Sequence, residues 1–309
     1  MSSSPPRLGA MSEIPTLAEV VDAADRLWPL RTQQSWDASG LIAGRPEAPV
    51  RRILMAVDAV TPTVQEAVET EADLLLTHHP LLMRGVSTVA ADTYKGRVLH
   101  ELIERRIGLL ACHTNADAAR DGVSDVLLRA CGVERMQPLE PSSEDPEIGI
   151  GRVGDLDEPV RLVELSQRLA AVIPPTAQGV RVAGDPDRMI RRVAVCGGSG
   201  DSLFETVRRA EADVYVTADL RHHPASEARE TALTGDGSPA LIDLSHAASE
   251  WLWLPVGAAA LQEELSARGF RAEVRVSGRR SDPWDFRVPS PHEPPQDVWE
   301  PSRSTGVAS

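Results

Sequence analysis

The chain has 309 residues, 32 Lys and Arg against 46 Asp and Glu, a formal net charge of −14, 42% hydrophobic and 25% charged residues. That globular composition leaves room for one large domain or two ordinary ones, with a core that needs no disulfide or metal to hold it. The acidity argues against a duplex nucleic acid partner, no apolar run reaches the roughly 18–20 residues of a membrane helix, the N-terminus lacks a signal-peptide core, and three cysteines without a CxxC pair (Cys112, Cys131, Cys196) predict a reduced, cytoplasmic protein.

In chain order, a helix is expected to open near Ser12 or Thr16, because Leu17, Val20, Val21, Ala24 and Leu27 recur at helical spacing before Pro29. SWDASGLIAGRP (35–46) reads as a Gly-punctuated turn. RRILMAVDA (51–59) reads as a buried strand, VQEAVETEA (64–72) as a helix, and ADLLLTHHPLL (72–82) as a strand running into a loop at His78. Helix (98–106), strand (107–113) and helix (123–132) come next. Such alternation predicts βαβ units and an α/β sheet.

One segment recurs. RRILMAVDAVTPTVQEAVETEADLLLT (51–77) lies over RRVAVCGGSGDSLFETVRRAEADVYVT (191–217) without a gap. The opening Arg-Arg, the late Glu-Ala-Asp and the closing Thr coincide, as do Ile53 with Val193 and Leu74 with Val214. Both copies read strand–turn–helix–strand, which predicts a duplicated unit. Residues 137–148 read as a polar, Pro-rich connection. From 279 onward the chain is polar and aperiodic, so a disordered tail is expected, with Trp284, His292 and Trp299 inside it.

Four short stretches carry most of the histidines: THHP (77–80), CHTNADAA (112–119), TADLRHHP (217–224) and DLSHAASE (243–250). Each stands at the end of a predicted strand or the start of a helix, where α/β sheets bind ligands. On a helix His246 and Glu250 share one face, a spacing that lets two side chains hold one metal. Taken singly, each stretch has an ordinary reading as well: a hydrogen-bonded strand-end His, an ion pair of His246 with Glu250, a helix cap at Asp219. Together they offer a mixed N/O set suited to Zn, Fe or Mn, with more ligands than one tetrahedral ion takes. VCGGSGDSL (195–203) reads equally as a tight turn or as an anion-binding nest.

SWDASGLIAGRP, LLLTHHPLLMRG, CHTNADAA, VAVCGGSG, VYVTADLRHHPASEA and LIDLSHAASE, in that order over about 12–280, resemble the Nif-three-like dinuclear metal-centre family, whose members go by the name GTP cyclohydrolase 1 type 2 homologue. The resemblance implies two adjacent divalent metals and a hexameric ring. It implies His78 and His79 each on one metal, Asp117 with His78, His246 with His79, and Glu250 bridging. It places His113 and His223 as catalytic or cavity-lining groups that move a proton. Two positions depart from the family pattern: Ala38 stands where Asn is usual, and Ser245 where Gly usually precedes the His.

The expected fold is α/β with two similar lobes related by the repeat and the metal site in the cleft between them. The first lobe is expected over 12–136 and the second over 137–235. A return segment, 236–278, is expected to complete the first lobe ahead of the tail at 279–309. The expected function is a metal-dependent hydrolase of a nucleotide or other phosphate-bearing small molecule, acting as a homo-oligomer without nucleic acid or membrane partners. The alternative is a non-catalytic, regulatory metal-binding protein acting through partner contacts.

Overall fold

Helix α1 (Leu17–Leu27) opens at Thr16, whose hydroxyl accepts from the backbone N of Glu19 while the Glu19 carboxylate accepts from the backbone N of Thr16 at 2.7 Å. This reciprocal cap satisfies donors that every helix start leaves free. The structure, a computed structural model, describes residues 13–288. After α1 come β1 (Gly40–Ala43), β2 (Arg52–Ala56), α2 (Thr61–Glu69), β3 (Leu74–Thr77), α3 (Tyr94–Glu104), β4 (Gly108–Ala111), α4 (Thr114–Ala118) and α5 (Val123–Cys131). The middle of the chain forms β5 (Met136–Pro141), β6 (Gly149–Arg161), α6 (Leu162–Val172), β7 (Arg181–Ala183), β8 (Met189–Ser199), α7 (Phe204–Arg209) and β9 (Val214–Ala218). The chain closes with α8 (His222–Leu233), β10 (Ala240–Leu244), α9 (His246–Trp251), α10 (Trp253–Ala267) and β11 (Glu273–Val276). Among the described residues no helix is long and apolar enough to cross a membrane.

The strands form two sheets, ordered β1-β4-β3-β2-β11 and β5-β6-β8-β9-β10-β7. β2, β3, β4 and β11 are parallel and β1 is antiparallel; β8, β9 and β10 are parallel, with β6, β5 and β7 antiparallel around them. The central parallel strands β3 and β4 are buried along their whole length, as expected when both faces are covered. α1 and α10 pack Leu17, Val20, Trp253 and Leu261 against Ile53, Met55, Leu74 and Leu76. α6 packs Leu162 and Leu165 against Val193, Val195, Val214 and Val216. α5 joins the two, giving Val123 to the first core and Leu127, Leu128 and Cys131 to the second.

The duplication extends to individual hydrogen bonds. Ile53 pairs with Leu74 and Val193 with Val214, the same register 140 positions apart. Asp73 accepts from the backbone N of Arg51 and Arg52; Asp213 does so from Arg191 and Arg192. The preceding Glu71 and Glu211 both take positive φ, 51° and 53°. The recurring Arg-Arg and Glu-Ala-Asp are therefore one device built twice: the carboxylate in the turn that leads into the second strand clamps the start of the first.

Four expectations change. The turn over 35–46 contains β1, an antiparallel edge strand on β4 with a bulge after Leu41. The connection over 137–148 contains β5, whose Pro138 and Pro141 are tolerated because it is an edge strand. The return segment over 236–278 begins with β10, which pairs with β9 and β7 in the second sheet; α10 and β11 are the elements that return to the first lobe. The tail does not begin at 279. Ser277 and the backbone N of Gly278 bond Glu66, Arg279 pairs with Glu69, and Asp282, 8% exposed, takes the hydroxyl of Ser245. Ser12, His292, Trp299 and the rest of 289–309 lie outside the described residues.

Candidate metal centre

Each sheet contributes the ends of two neighbouring parallel strands. His78 and His79 come directly after β3, held by backbone bonds to Ala56 and Val57 at the end of β2. His113 lies just past β4, and Asp117 lies on the short helix α4. In the second lobe, His246 opens α9 directly after β10, and Glu250 stands one turn later on the same face.

Every imidazole is oriented from outside. His78 Nδ1 donates to the Cys112 carbonyl at 2.9 Å, which turns its Nε2 toward Glu250 and Asp117. His79 Nδ1 donates to Asp58 at 2.7 Å, His113 Nδ1 to Asp37 at 2.8 Å, and His246 Nδ1 to Asp219 at 2.8 Å. An outer oxygen on Nδ1 with Nε2 facing inward is the arrangement that metal-ligating histidines adopt.

The inner atoms are close. His79 Nε2 lies 3.2 Å from His246 Nε2. Glu250 Oε1 lies 2.9 Å from His246 Nε2 and 3.5 Å from His78 Nε2, while Oε2 lies 3.1 Å from His79 Nε2. Asp117 Oδ1 is 3.7 Å from His78 Nε2. One ligating atom each from His78, His79 and His113 falls within 4.8 Å of the others, and so does one each from His79, His246 and Glu250. The buried atoms His78 Nε2 and Asp117 Oδ1 make no hydrogen bond, and Glu250 Oε2 makes none despite its His79 neighbour. Buried polar atoms without partners are costly. Three of them converging on one cluster of imidazoles and carboxylates fit a cation.

Charge strain says the same. Burial alone would push His79 down, but Glu250 and Asp58 outweigh it and raise its pKa to about 10. The Glu250 charge, against burial and with Asp219, raises His246 to about 11. His78, wholly buried, is also raised, burial being outweighed by Glu250 and Asp117. Burial opposes ionisation of Glu250, yet His246, His79 and His78 hold it well below the usual carboxylate range. Burial raises Asp117, against the pull of His78 and His113. Without an ion, the cluster relies on protons to offset its own negative charge.

The Gly-rich stretch serves close approach. Gly198 has φ +68°, and a Cβ there would lie 2.4 Å from Glu250 Oε1 and 3.1 Å from His246 Nε2. Its backbone N donates to Ser249 Oγ, and that of Gly197 to Ser124 Oγ, so these two donors are already used and the nest reading loses them.

The structure thus brings together His78, His79, Asp117, His246, Glu250 and His113. His113 stands closer in than expected, with a nitrogen inside a metal-capable set instead of only lining the cavity. It does not bring in His223, which is exposed in the first turn of α8 with its ring against His222 and no hydrogen bond or ion pair to the cluster. Asp219 does not cap α8, whose N-cap is Arg221; it orients His246. Sequence reading missed Asp37 and Asp58 as orienting groups. Both had a signal: Asp37 lies in SWDASG, and Asp58 lies just past the first strand of the repeat.

The chain matches the family model described as Duf34/NIF3 (NGG1p interacting factor 3) over residues 15–283. It is 51% identical over 279 residues to a Streptomyces coelicolor protein named GTP cyclohydrolase 1 type 2 homolog, covering 90% of this chain and 96% of that one. A Clostridium perfringens protein of the same name is 31% identical over 270 residues, covering 87% and 99%. Among solved structures, a Staphylococcus aureus hypothetical protein superposes with a TM-score of 0.80 at 25% identity, covering 89% of this chain and 100% of that one. A Bacillus cereus protein related to NIF3 has the same TM-score and coverage at 22% identity, a likeness of fold.

Proposed function

The chain belongs to the Duf34/NIF3 family, and from that premise we propose that its cluster holds two divalent metal ions and serves a metal-dependent hydrolase acting on a nucleotide or other phosphate-bearing small molecule. The observation that carries this reading is Glu250: it is buried at 2% exposure, and its two oxygens lie within 3.5 Å of three inward-facing imidazoles from both lobes. His78, His113 and Asp117 would hold one ion, His79 and His246 the other, and Glu250 both. Two such ions would supply Lewis acidity and lower the pKa of a bound water to about 7.

The chain's own groups do the rest. Asp58, Asp37 and Asp219 fix the tautomers of His79, His113 and His246 through Nδ1. Gly198 lets the end of β8 lie close against Glu250. The name carried by the relatives makes guanosine triphosphate the first substrate to try.

The test is elemental analysis of the wild type and Glu250→Ala, purified without chelator or nickel. The reading expects nearly two ions per wild-type chain, lost in the variant, and hydrolysis of guanosine triphosphate or another nucleotide that vanishes with them. No metal in either protein, with none regained from Zn, Mn or Fe, overturns it. Stoichiometric metal without hydrolysis across a nucleotide and phosphoester panel overturns the enzyme and leaves the metal protein.

A further inference from the structure

Trp36 is 60% exposed, yet the backbone around it is firmly held. The next residue, Asp37, accepts from His113 Nδ1 at 2.8 Å, Thr114 N at 3.0 Å, Ala38 N at 2.6 Å and Ser39 Oγ at 2.9 Å. The backbone N of Gln34 donates to Thr114 Oγ1, and that of Ser39 to the Gln33 side chain. The loop is tied to the same residues that orient His113. The indole meets the His113 ring edge-on, with centroids 5.9 Å apart at 77°. His113 in turn lies 5.1 Å from the His78 ring and 5.4 Å from the His79 ring.

Among the described residues the other indole in contact with these imidazoles, that of Trp253, is buried core. Trp36 meets His113 in a T-shaped contact and leaves most of its surface in water. A fold that needed the indole for stability would bury more of it, since apolar burial is what stabilises. An exposed aromatic on a loop whose backbone is already held needs no backbone ordering when a ligand arrives.

Resting on the hydrolase reading above, we propose that Trp36 is a substrate-contacting residue: a platform on which a flat heteroaromatic ring of the substrate stacks, holding that ring beside His113. The platform selects for rings over aliphatic sugar phosphates. Stacking on an aromatic side chain is worth about tenfold or more in affinity, and Phe, with the same kind of face, retains much of it.

The test is calorimetric titration of the metal-loaded full chain with guanosine monophosphate, adenosine monophosphate, flavin mononucleotide and ribose 5-phosphate. Wild type, Trp36→Ala and Trp36→Phe are compared, with metal content measured on the same samples. The expected result is that at least one ring compound binds about tenfold or more tighter than ribose 5-phosphate. Trp36→Ala abolishes that advantage, Trp36→Phe largely keeps it, and ribose 5-phosphate binding and metal content stay unchanged. No ring compound binding better than ribose 5-phosphate, or an advantage that survives Trp36→Ala, overturns the platform. Wild type without metal sinks the metal centre separately, because the ring comparison reads the loop and not the ions.

Discussion

His79 and Asp219 occupy the same place in the two copies of the repeat, 140 positions apart, and both face the ring of His246. His79 Nε2 lies 3.2 Å from His246 Nε2, and Asp219 Oδ2 accepts from His246 Nδ1 at 2.8 Å. The duplicated strand ends have diverged into two roles around one imidazole: one copy faces the cluster, the other orients a partner.

Asp219 has φ +54°, a conformation that Asn tolerates and most residues resist. Asp219→Asn therefore keeps the backbone but weakens the acceptor that orients His246. Metal affinity at the His79–His246 position should fall about 10–100-fold, as when an outer partner of a metal-bound His is removed. Competition with a chelating dye measures it; an unchanged affinity would remove Asp219 from the site.

Gly198→Ala places a methyl against Glu250 Oε1 at a positive φ. The backbone alone costs about 1 kcal/mol, and Glu250 must move to admit the methyl. Lower thermal stability together with loss of metal is expected, read by melting and elemental analysis. A variant that keeps full metal shows that Glu250 does not need this close approach.

In metal-free protein the protonated imidazoles contribute stability. It is fully present below their unfolded pKa of about 6.5 and is lost as pH rises through about 10 for His79 and about 11 for His246. Near pH 7 both carry protons that an incoming metal must displace. Metal affinity should therefore rise with pH, about tenfold per displaced proton per pH unit, with protons released on binding. Titrations in buffers of different ionisation enthalpy count those protons; a pH-independent affinity contradicts the assignment.

Arg152 is 2% exposed, ion-paired with Asp125, and donates to the carbonyls of Ala118 and Ala119 at 3.2 and 3.0 Å, just past Asp117. Burial lowers its pKa, opposed by Asp125. Arg152→Met leaves the buried Asp125 carboxylate with only the Asp121 backbone N and the Arg129 guanidinium at 4.0 Å, which should cost about 3–5 kcal/mol. Denaturant unfolding measures the loss; less than about 1 kcal/mol would mean that water replaces the guanidinium.

Much of the centre was legible because it lies at strand ends, where short contiguous motifs carry the ligands. THHP, HTNAD and HAASE each hold their groups within one turn of chain. The repeat was legible because the Arg-Arg pair and the Asp that accepts from its backbone recur at one fixed offset in both copies. The edge strands β1 and β5 were not: glycine bends mask β1, whose partner β4 lies far along the chain, and prolines mask β5, although its partner β6 is the next strand.

By itself the sequence determined the α/β alternation, the duplication and which side chains offer nitrogen and oxygen to a metal, since these arise from local spacing. Only the tertiary structure decided that His79 and His246, 167 positions apart, meet at 3.2 Å. It also decided that β10 joins the second sheet and that Asp37, Asp58 and Asp219 each orient a particular imidazole. A lone carboxylate has no local signature for its task. What it orients depends on which strand ends the closing of two lobes over shared apolar cores brings face to face.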